Sequence, residues 1–386
     1  MKITKIFKRF LHNTPKLDLL IYDDFFPGKL SAFRYIEFLE YFKHFEKTNL
    51  LISTKTYAAH VFEKKTIQTL IAEFENEFPP HINIIKKFHN QKLNAKIGYC
   101  IFINNISWIL PTFEKNKIPF VFTLYPGGGF IMNNNLSDNK IRNACASPYF
   151  KGVIVTQKIT FDYLISKNLC PKDKINLIYG VFAPAPLKAY NKILPHEKNG
   201  RFDICFVAIK YSPTGTDKGY DVFIEVCKKL AETHKNIYFH VLGGFDGSEI
   251  DISPLNNQIS FYDKKESHFF SEFYQDKDLI ISPNPGVKID GAFDGFPTGC
   301  CVEAMLNQVP VLCTDELNQN IYFENGVDII LATKDVNEIY EKVIHYMANH
   351  SELLQIGTLG QKKAKKLFNT DVQIEQRLEV LKKAIL

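Results

Sequence analysis

The sequence predicts an α/β protein of two Rossmann-like domains facing a central cleft. Three observations carry that prediction. Strongly apolar runs of strand length recur along the chain, amphipathic segments of helix length alternate with them, and a proline-bearing polar stretch interrupts the series near the middle. Strands this apolar are buried on both faces, which requires a parallel sheet covered by helices on either side. At 386 residues the chain is too long for one comfortable core and suits two domains of ordinary size.

The first series opens with LDLLIYDD (17–24) as a strand, a turn at Pro27–Gly28 and a helix through FRYIEFLEYFKHF. Further strands are expected at 49–54, 82–85, 95–103, 119–126 and 151–157, with a short helix at 159–165 and a closing strand at 175–181. The stretch over 183–201 carries three prolines and many polar groups without a clear period, and reads as a linker. A second series follows, with strands at 202–209, 237–244, 278–284, 309–315 and 328–332. Its helices are expected at 219–234, 267–275, 299–306 and 335–350. The tail reads as helical with a basic middle. The expected division is a domain over 1–185, a linker over 186–201, a domain over 202–365, and a C-terminal helix over 366–386 that packs back on the first domain.

Composition narrows the function. Hydrophobic residues make up 45% and charged residues 23%, both signs mixed, as in globular proteins. A formal charge of +5 favours an anionic ligand or membrane surface and falls well short of a nucleic-acid signature, so no nucleic-acid partner is expected. The eight cysteines form no C-x-x-C pair and have no histidine at ligand spacing. A reducing compartment fits. Without a signal-peptide pattern or a membrane-spanning run, the expected location is cytoplasmic. MKITKIFKRFLHN over 1–13 sets Ile3, Ile6, Phe7, Phe10 and Leu11 against Lys2, Lys5, Lys8 and Arg9. Such a segment suits peripheral contact with the inner membrane face, or packs as a terminal helix on its own protein.

The densest chemistry lies between Asp290 and Asp315, DGAFDGFPTGCCVEAMLNQVPVLCTD. A strand ends near Ser282, a loop rich in glycine and proline follows, and a helix begins near Thr298 or Gly299. Loops at the C-terminal edge of parallel strands bind ligands in open α/β sheets. The helix start offers unpaired N–H groups and the positive end of a dipole, which suit diphosphate and sugar hydroxyls. Glu303, about one turn in, can accept hydrogen bonds from two vicinal hydroxyls. The alternative is an Asp-Gly turn with an ordinary helix cap. A second segment runs from Phe206 through Lys210, Lys218 and Gly219. Lys218, just before a helix, can place its ammonium on the same phosphates as that helix's N–H groups, or remain a solvated surface lysine.

These two segments resemble the retaining GT-B glycosyltransferases with the E-x7-E signature, EGFGLPxLEAMAxGxPV, of the group 1 or family 4 type. Here Asp294-Gly295-Phe296-Pro297-Thr298-Gly-Cys-Cys-Val-Glu303-Ala-Met, then Val309-Pro-Val, keeps the same order of parts. It departs in two ways: Asp stands for the first Glu, and the spacing is one residue longer. The resemblance implies that Asp294 and the backbone of Gly295, Phe296 and Pro297 hold the donor sugar while Glu303 grips the ribose. Lys218 and Gly219, with Lys210 at a longer spacing than the family's upstream basic residue, would hold the diphosphate. It covers 202–332 well and the first half only in pattern.

In the first half, Gly127-Gly128-Gly129 after a buried strand lets backbone approach a ligand, or simply forms a tight turn. Pro27-Gly28-Lys29 resembles the family's first loop without its double glycine. His60 alone among the early histidines closely follows a strand-like stretch, and it is read as a helix-surface or core residue. Asp276-Lys277-Asp278 forms a D-x-D, read as helix capping and a surface turn. The resemblance thus implies a hexosyltransferase-type enzyme of polysaccharide biosynthesis. It would move a sugar, without cofactor or metal, from a nucleotide-diphosphate sugar to a glycan or lipid-linked hydroxyl, with retention. Rival readings are a non-catalytic protein that binds nucleotide sugar or glycan, and a nucleotide-sugar epimerase on the same scaffold.

Overall fold

The computed structural model describes residues 16–89, 92–183, 192–248, 250–288 and 291–386. The basic amphipathic segment over 1–13 and most of the expected linker lie outside the described residues. In the first half come β1 (Leu17–Tyr22), α1 (Ala32–His44), β2 (Thr48–Ile52), α2 (Ala59–Glu63), α3 (Ile67–Glu77) and β3 (Ile85–Lys87). They are followed by β4 (Ala95–Ile101), α4 (Ile103–Lys115), β5 (Phe120–Leu124), α5 (Asn135–Ala146), β6 (Phe150–Val155), α6 (Lys158–Ser166) and β7 (Ile175–Leu177). The second half holds β8 (Phe202–Val207), α7 (Tyr220–Thr233), β9 (Ile237–Leu242), β10 (Ile259–Tyr262), α8 (Phe270–Tyr274) and β11 (Leu279–Ser282). After these come α9 (Gly299–Leu306), β12 (Val311–Thr314), β13 (Ile330–Ala332), α10 (Val336–Ala348), α11 (His350–Phe368) and α12 (Thr370–Ile385).

Among the described residues the strands form two parallel sheets, ordered β3-β2-β1-β4-β5-β6-β7 and β10-β9-β8-β11-β12-β13. Burial on both faces follows from the apolar runs. Leu19 and Ile21 of β1 enter one core layer while Leu20 and Tyr22 enter the opposite one. In β8, Ile204 and Phe206 face away from Cys205 and Val207 in the same manner. Side-chain caps start several helices: Asn134 accepts from the amides of Leu136 and Ser137, Thr66 from Thr69, and Asp335 from Glu338. All eight cysteines carry free thiols, and all but Cys145 and Cys300 are buried.

Three local expectations are corrected. The strand expected at 82–85 starts at Ile85, because a turn at Pro79–His81 and left-handed Asn83 (φ 67°) delay it. The helical tail breaks at Asn369, whose side chain accepts from the Asp371 amide and starts α12. Asp276-Lys277-Asp278 is not a surface turn. Lys277 and Asp278 are buried, and Asp278 accepts from the Asp203 amide at 2.7 Å and from Lys198 at 2.6 Å. Asp203 in turn bonds His240 at 2.7 Å, so the segment is a buried tie between β8, β9 and β11. Ile374, Leu378 and Leu381 of α12 join the core beneath the first sheet. There Arg377 donates to Tyr125 Oη (3.0 Å) and faces buried Glu37 at 3.5 Å.

Candidate functional site

Each sheet reverses its winding once, between β1 and β4 and between β8 and β11. Loops leaving the C-terminal ends of those strand pairs diverge, and such a switch point leaves a crevice for ligand. The loop from β8 to α7 and the loop from β11 to α9 therefore meet where the sequence concentrates its candidate residues.

Glycine shapes the first of these loops. Gly219 is left-handed (φ 74°), and a Cβ there would stand 2.0 Å from the Pro283 carbonyl oxygen. Only glycine lets the turn press against the end of β11, and that contact delivers Lys218 to the neighbouring loop. Lys218 Nζ lies 2.8 Å from Asp294 Oδ2, while Lys288 Nζ lies 2.9 Å from Asp294 Oδ1. Asn284 Nδ2 donates to Asp294 Oδ2 at 2.9 Å, and Gln319 Nε2 donates to the Asp294 backbone carbonyl at 2.9 Å. One carboxylate thus joins two ammonium groups in largely buried surroundings. Burial would raise the Asp294 carboxyl, but Lys218 and Lys288 together bring it down to about 2. Burial lowers Lys288 below its usual value, whereas Asp294 outweighs burial at Lys218 and raises it.

A recess of about 20 Å³ beside this cluster is lined by Asn284, Asp294, Gly295, Thr298, Glu316 and Gln319 among others. That is room for about one water molecule, at the floor of the crevice between the loops. Thr298 takes the N-cap position of α9, with its hydroxyl on the Cys300 and Cys301 sulfurs and not on a backbone amide. The helix's first N–H groups are therefore not claimed by that cap. Phe296 and Pro297, joined by a cis peptide bond, are buried, and the Phe296 carbonyl accepts from Tyr179 Oη at 2.8 Å. Glu303 sits half-buried on α9 with no counter-charge among the described residues, and burial first, then Cys300, pushes its carboxyl up to about 8. A carboxyl left in that state can improve its surroundings by accepting hydrogen bonds from a ligand.

The first half supplies the opposite wall. Gly128 (φ 55°) lies where a Cβ would meet the Phe102 ring at 2.1 Å, so the loop folds flat onto the start of α4. Gly127 and Gly129 flank it. Pro126 and Gln157 come up against Gly295, and Phe130 packs edge-on to Phe293 at 5.6 Å. The glycine loop is thereby brought to the Asp294 loop. Gly28 is buried against Phe25 and Ala59, and its loop reaches the second half through Lys29, 3.9 Å from Glu266. Lys210 holds its loop by its backbone amide on the Gly243 carbonyl, and its side chain is not in the Lys218–Asp294–Lys288 cluster. Tyr211 spans the crevice, with its ring 6.0 Å from Phe62 and 5.5 Å from the Lys218 ammonium.

Sequence reasoning missed Lys288, Asn284 and Gln319, and also a polar cluster at the other switch point. There Arg34 Nη1 lies 2.6 Å from Asp24 Oδ1 and 3.3 Å from buried Asp23, and Asn105 Nδ2 reaches Asp24 at 3.1 Å. Two consecutive acids directly after a buried strand were the signal for that cluster. His60 lies exposed on α2, its ring stacked on Tyr57 at 6.1 Å. Among the described residues, no group of three His, Cys, Asp or Glu side chains is arranged to hold a metal, and no helix is long and apolar enough to cross a membrane.

Residues 196–363 match the model of the family Glycosyl transferases group 1. In structure the chain is similar to HepE of Anabaena in complex with UDP, with a TM-score of 0.66 at 15% identity, over 95% of this chain and all of that one. A glycosyltransferase from Rickettsia africae gives 0.64 at 14% identity, over 96% and 99% of the two chains. Sucrose-phosphate synthase from Thermosynechococcus elongatus gives 0.64 at 12%, over 95% and 99%. No curated protein matches the chain in sequence. Two Rossmann-like parallel sheets meeting at one crevice, and matched over nearly the whole chain by these structures, make the fold GT-B.

Proposed function

We propose that the protein transfers a sugar, with retention at the anomeric carbon, from a nucleoside diphosphate to a hydroxyl of a glycan or lipid-linked acceptor. The observation that carries this reading is the convergence of Lys218 and Lys288 beside the start of α9, with Glu303, which has no counter-charge among the described residues, on the same helix. Two ammonium groups and a helix N-terminus suit a diphosphate. Glu303 suits the two ribose hydroxyls, and Asp294 with the Gly295–Pro297 backbone suits the sugar. A uridine nucleotide is the first donor to try, since HepE is described with UDP and with UDP-glucose.

In the proposed reaction the bond between the anomeric carbon and the diphosphate oxygen breaks, and one from that carbon to the acceptor oxygen forms on the same face. The departing phosphate oxygen takes the acceptor's proton. The lysines stabilise the negative charge that gathers on the leaving group. The reading gives no step to a metal or cofactor, because the two ammonium groups supply that positive charge. The first half, with the glycine loop and the Asp24–Arg34–Asn105 cluster, would receive the acceptor. Residues 1–13 would add peripheral membrane contact where that acceptor is lipid-linked.

The test is to incubate the protein with UDP-, GDP- and ADP-sugars and a mixture of glycans and lipid-linked sugars, and to follow nucleoside diphosphate release by chromatography. Release from one nucleotide family, dependent on acceptor and lost in Lys218→Ala, is the expected result. Binding of nucleotide sugar without any release would instead support the non-catalytic reading.

A further inference from the structure

We infer that Lys288 is the second cation for the diphosphate, and that Asp294 competes with the diphosphate for both ammonium groups, so that the spent nucleoside diphosphate is held less tightly than the cations alone would hold it. This rests on the donor reading above. Lys218 arrives from the β8–α7 loop and Lys288 from the β11–α9 loop, and each takes one oxygen of the same carboxylate, at 2.8 and 2.9 Å. Two ammonium groups spaced to fit the two oxygens of a carboxylate also fit oxygens on adjacent phosphates. Both lysine side chains are largely buried, 12% and 16% exposed, so neither ammonium is an ordinary solvated surface charge. Like charges brought together out of water need an anion between them.

Asp294 does not depend on the lysines for its position. Asn284 holds its carboxylate and Gln319 its backbone carbonyl. When a diphosphate takes the ammonium groups, the carboxylate therefore stays close and repels it. The repulsion grows with the ligand's charge. A free nucleoside diphosphate carries about one more negative charge than its sugar conjugate, because its terminal phosphate can lose a second proton. Asp294 thus penalises product more than donor and favours product release. Its hold on the donor sugar and its repulsion of the product come from one side chain.

The test is calorimetric titration with the nucleoside diphosphate that binds wild type most tightly among UDP, GDP and ADP, and with its glucose conjugate. Wild type, Lys288→Met, Lys288→Arg and Asp294→Asn are compared, with thermal melts to establish that each is folded. Lys288→Met should weaken the nucleoside diphosphate about tenfold or more, as loss of a charge-assisted hydrogen bond does. Lys288→Arg should stay within about threefold, because the charge remains. Asp294→Asn should tighten the nucleoside diphosphate roughly three- to tenfold while weakening the glucose conjugate. Unchanged affinity in Lys288→Met, or weaker nucleoside diphosphate binding in Asp294→Asn, overturns the inference and leaves the donor reading standing. Absence of binding to wild type overturns both. If Lys288→Met does not fold, the Asp294→Asn titration alone decides.

Discussion

Replacing Glu303 with glutamine should stabilise the protein in alkali while weakening nucleotide binding. The carboxyl is half-buried on α9 without a counter-charge among the described residues, and its value rises from an ordinary 4.5 to about 8. Below pH 4.5 the group is protonated in the folded and unfolded chain alike. Between pH 4.5 and 8 the unfolded chain gives up this proton while the folded chain keeps it, so stability from this group falls as the pH rises through that window and levels off above it. A displacement of that size corresponds to about 5 kcal/mol. The side chain is only half-buried, and solvent screens part of this, leaving about 2 kcal/mol, or about 4–8 °C in a melt of a domain of this size. Glutamine keeps the shape and removes the charge. Circular-dichroism melts of wild type and Glu303→Gln across pH 4.5–9 should coincide at the acid end and separate by that amount above pH 8. The same substitution should weaken nucleoside diphosphate binding about tenfold, because an amide offers one acceptor oxygen to the two ribose hydroxyls where a carboxyl group offers two. A difference in melting temperature that stays flat with pH, or a glutamine variant that is less stable at pH 8.5, would refute the reasoning.

Other perturbations test the framework around the site. Arg377→Met strands buried Glu37 beneath the first sheet and should cost about 3–5 kcal/mol in a denaturant titration. Adding Glu37→Gln should recover a large part of that loss, because the unpaired charge is gone. Gly219→Ala drives a Cβ into the Pro283 carbonyl and should cost about 2 kcal/mol or more by the same titration. It should also weaken nucleotide binding, because Lys218 moves away from Asp294.

The parts of this fold that depend on local pattern were legible in the sequence. β1, β4, β8 and β9 are runs of apolar residues buried on two faces, and α9 spans 299–306 as its Gly start and apolar body indicate. Lys218 and Glu303 were singled out because one precedes a helix and the other lies about one turn into one, and Asp294 because its segment resembles the family's signature. What stayed hidden depends on tertiary placement. Lys288 and Asn284 lie in the same β11–α9 loop as Asp294, and that loop has no period from which its folding back on itself could be read; the winding of the sheet adds Lys218 from the β8–α7 loop. Asp24, Arg34 and Asn105 come from three separate segments that meet at the β1–β4 switch point. The partners of Asp278 and His240 were equally invisible, because a D-x-D or a lone histidine does not announce a buried counter-charge on another strand.

The central claim is that the β8–α7 and β11–α9 loops bind a nucleoside diphosphate sugar through Lys218. A thermal-shift screen of wild type and Lys218→Ala against UDP, GDP, ADP and CMP and their common sugar conjugates tests it most directly. Ligand at about 100 times its dissociation constant adds about 2.7 kcal/mol to the folded state, a shift that such a screen resolves. Stabilisation by one nucleotide family, lost in Lys218→Ala, is the predicted result. No shift with any nucleotide, or an equal shift in both proteins, would contradict it.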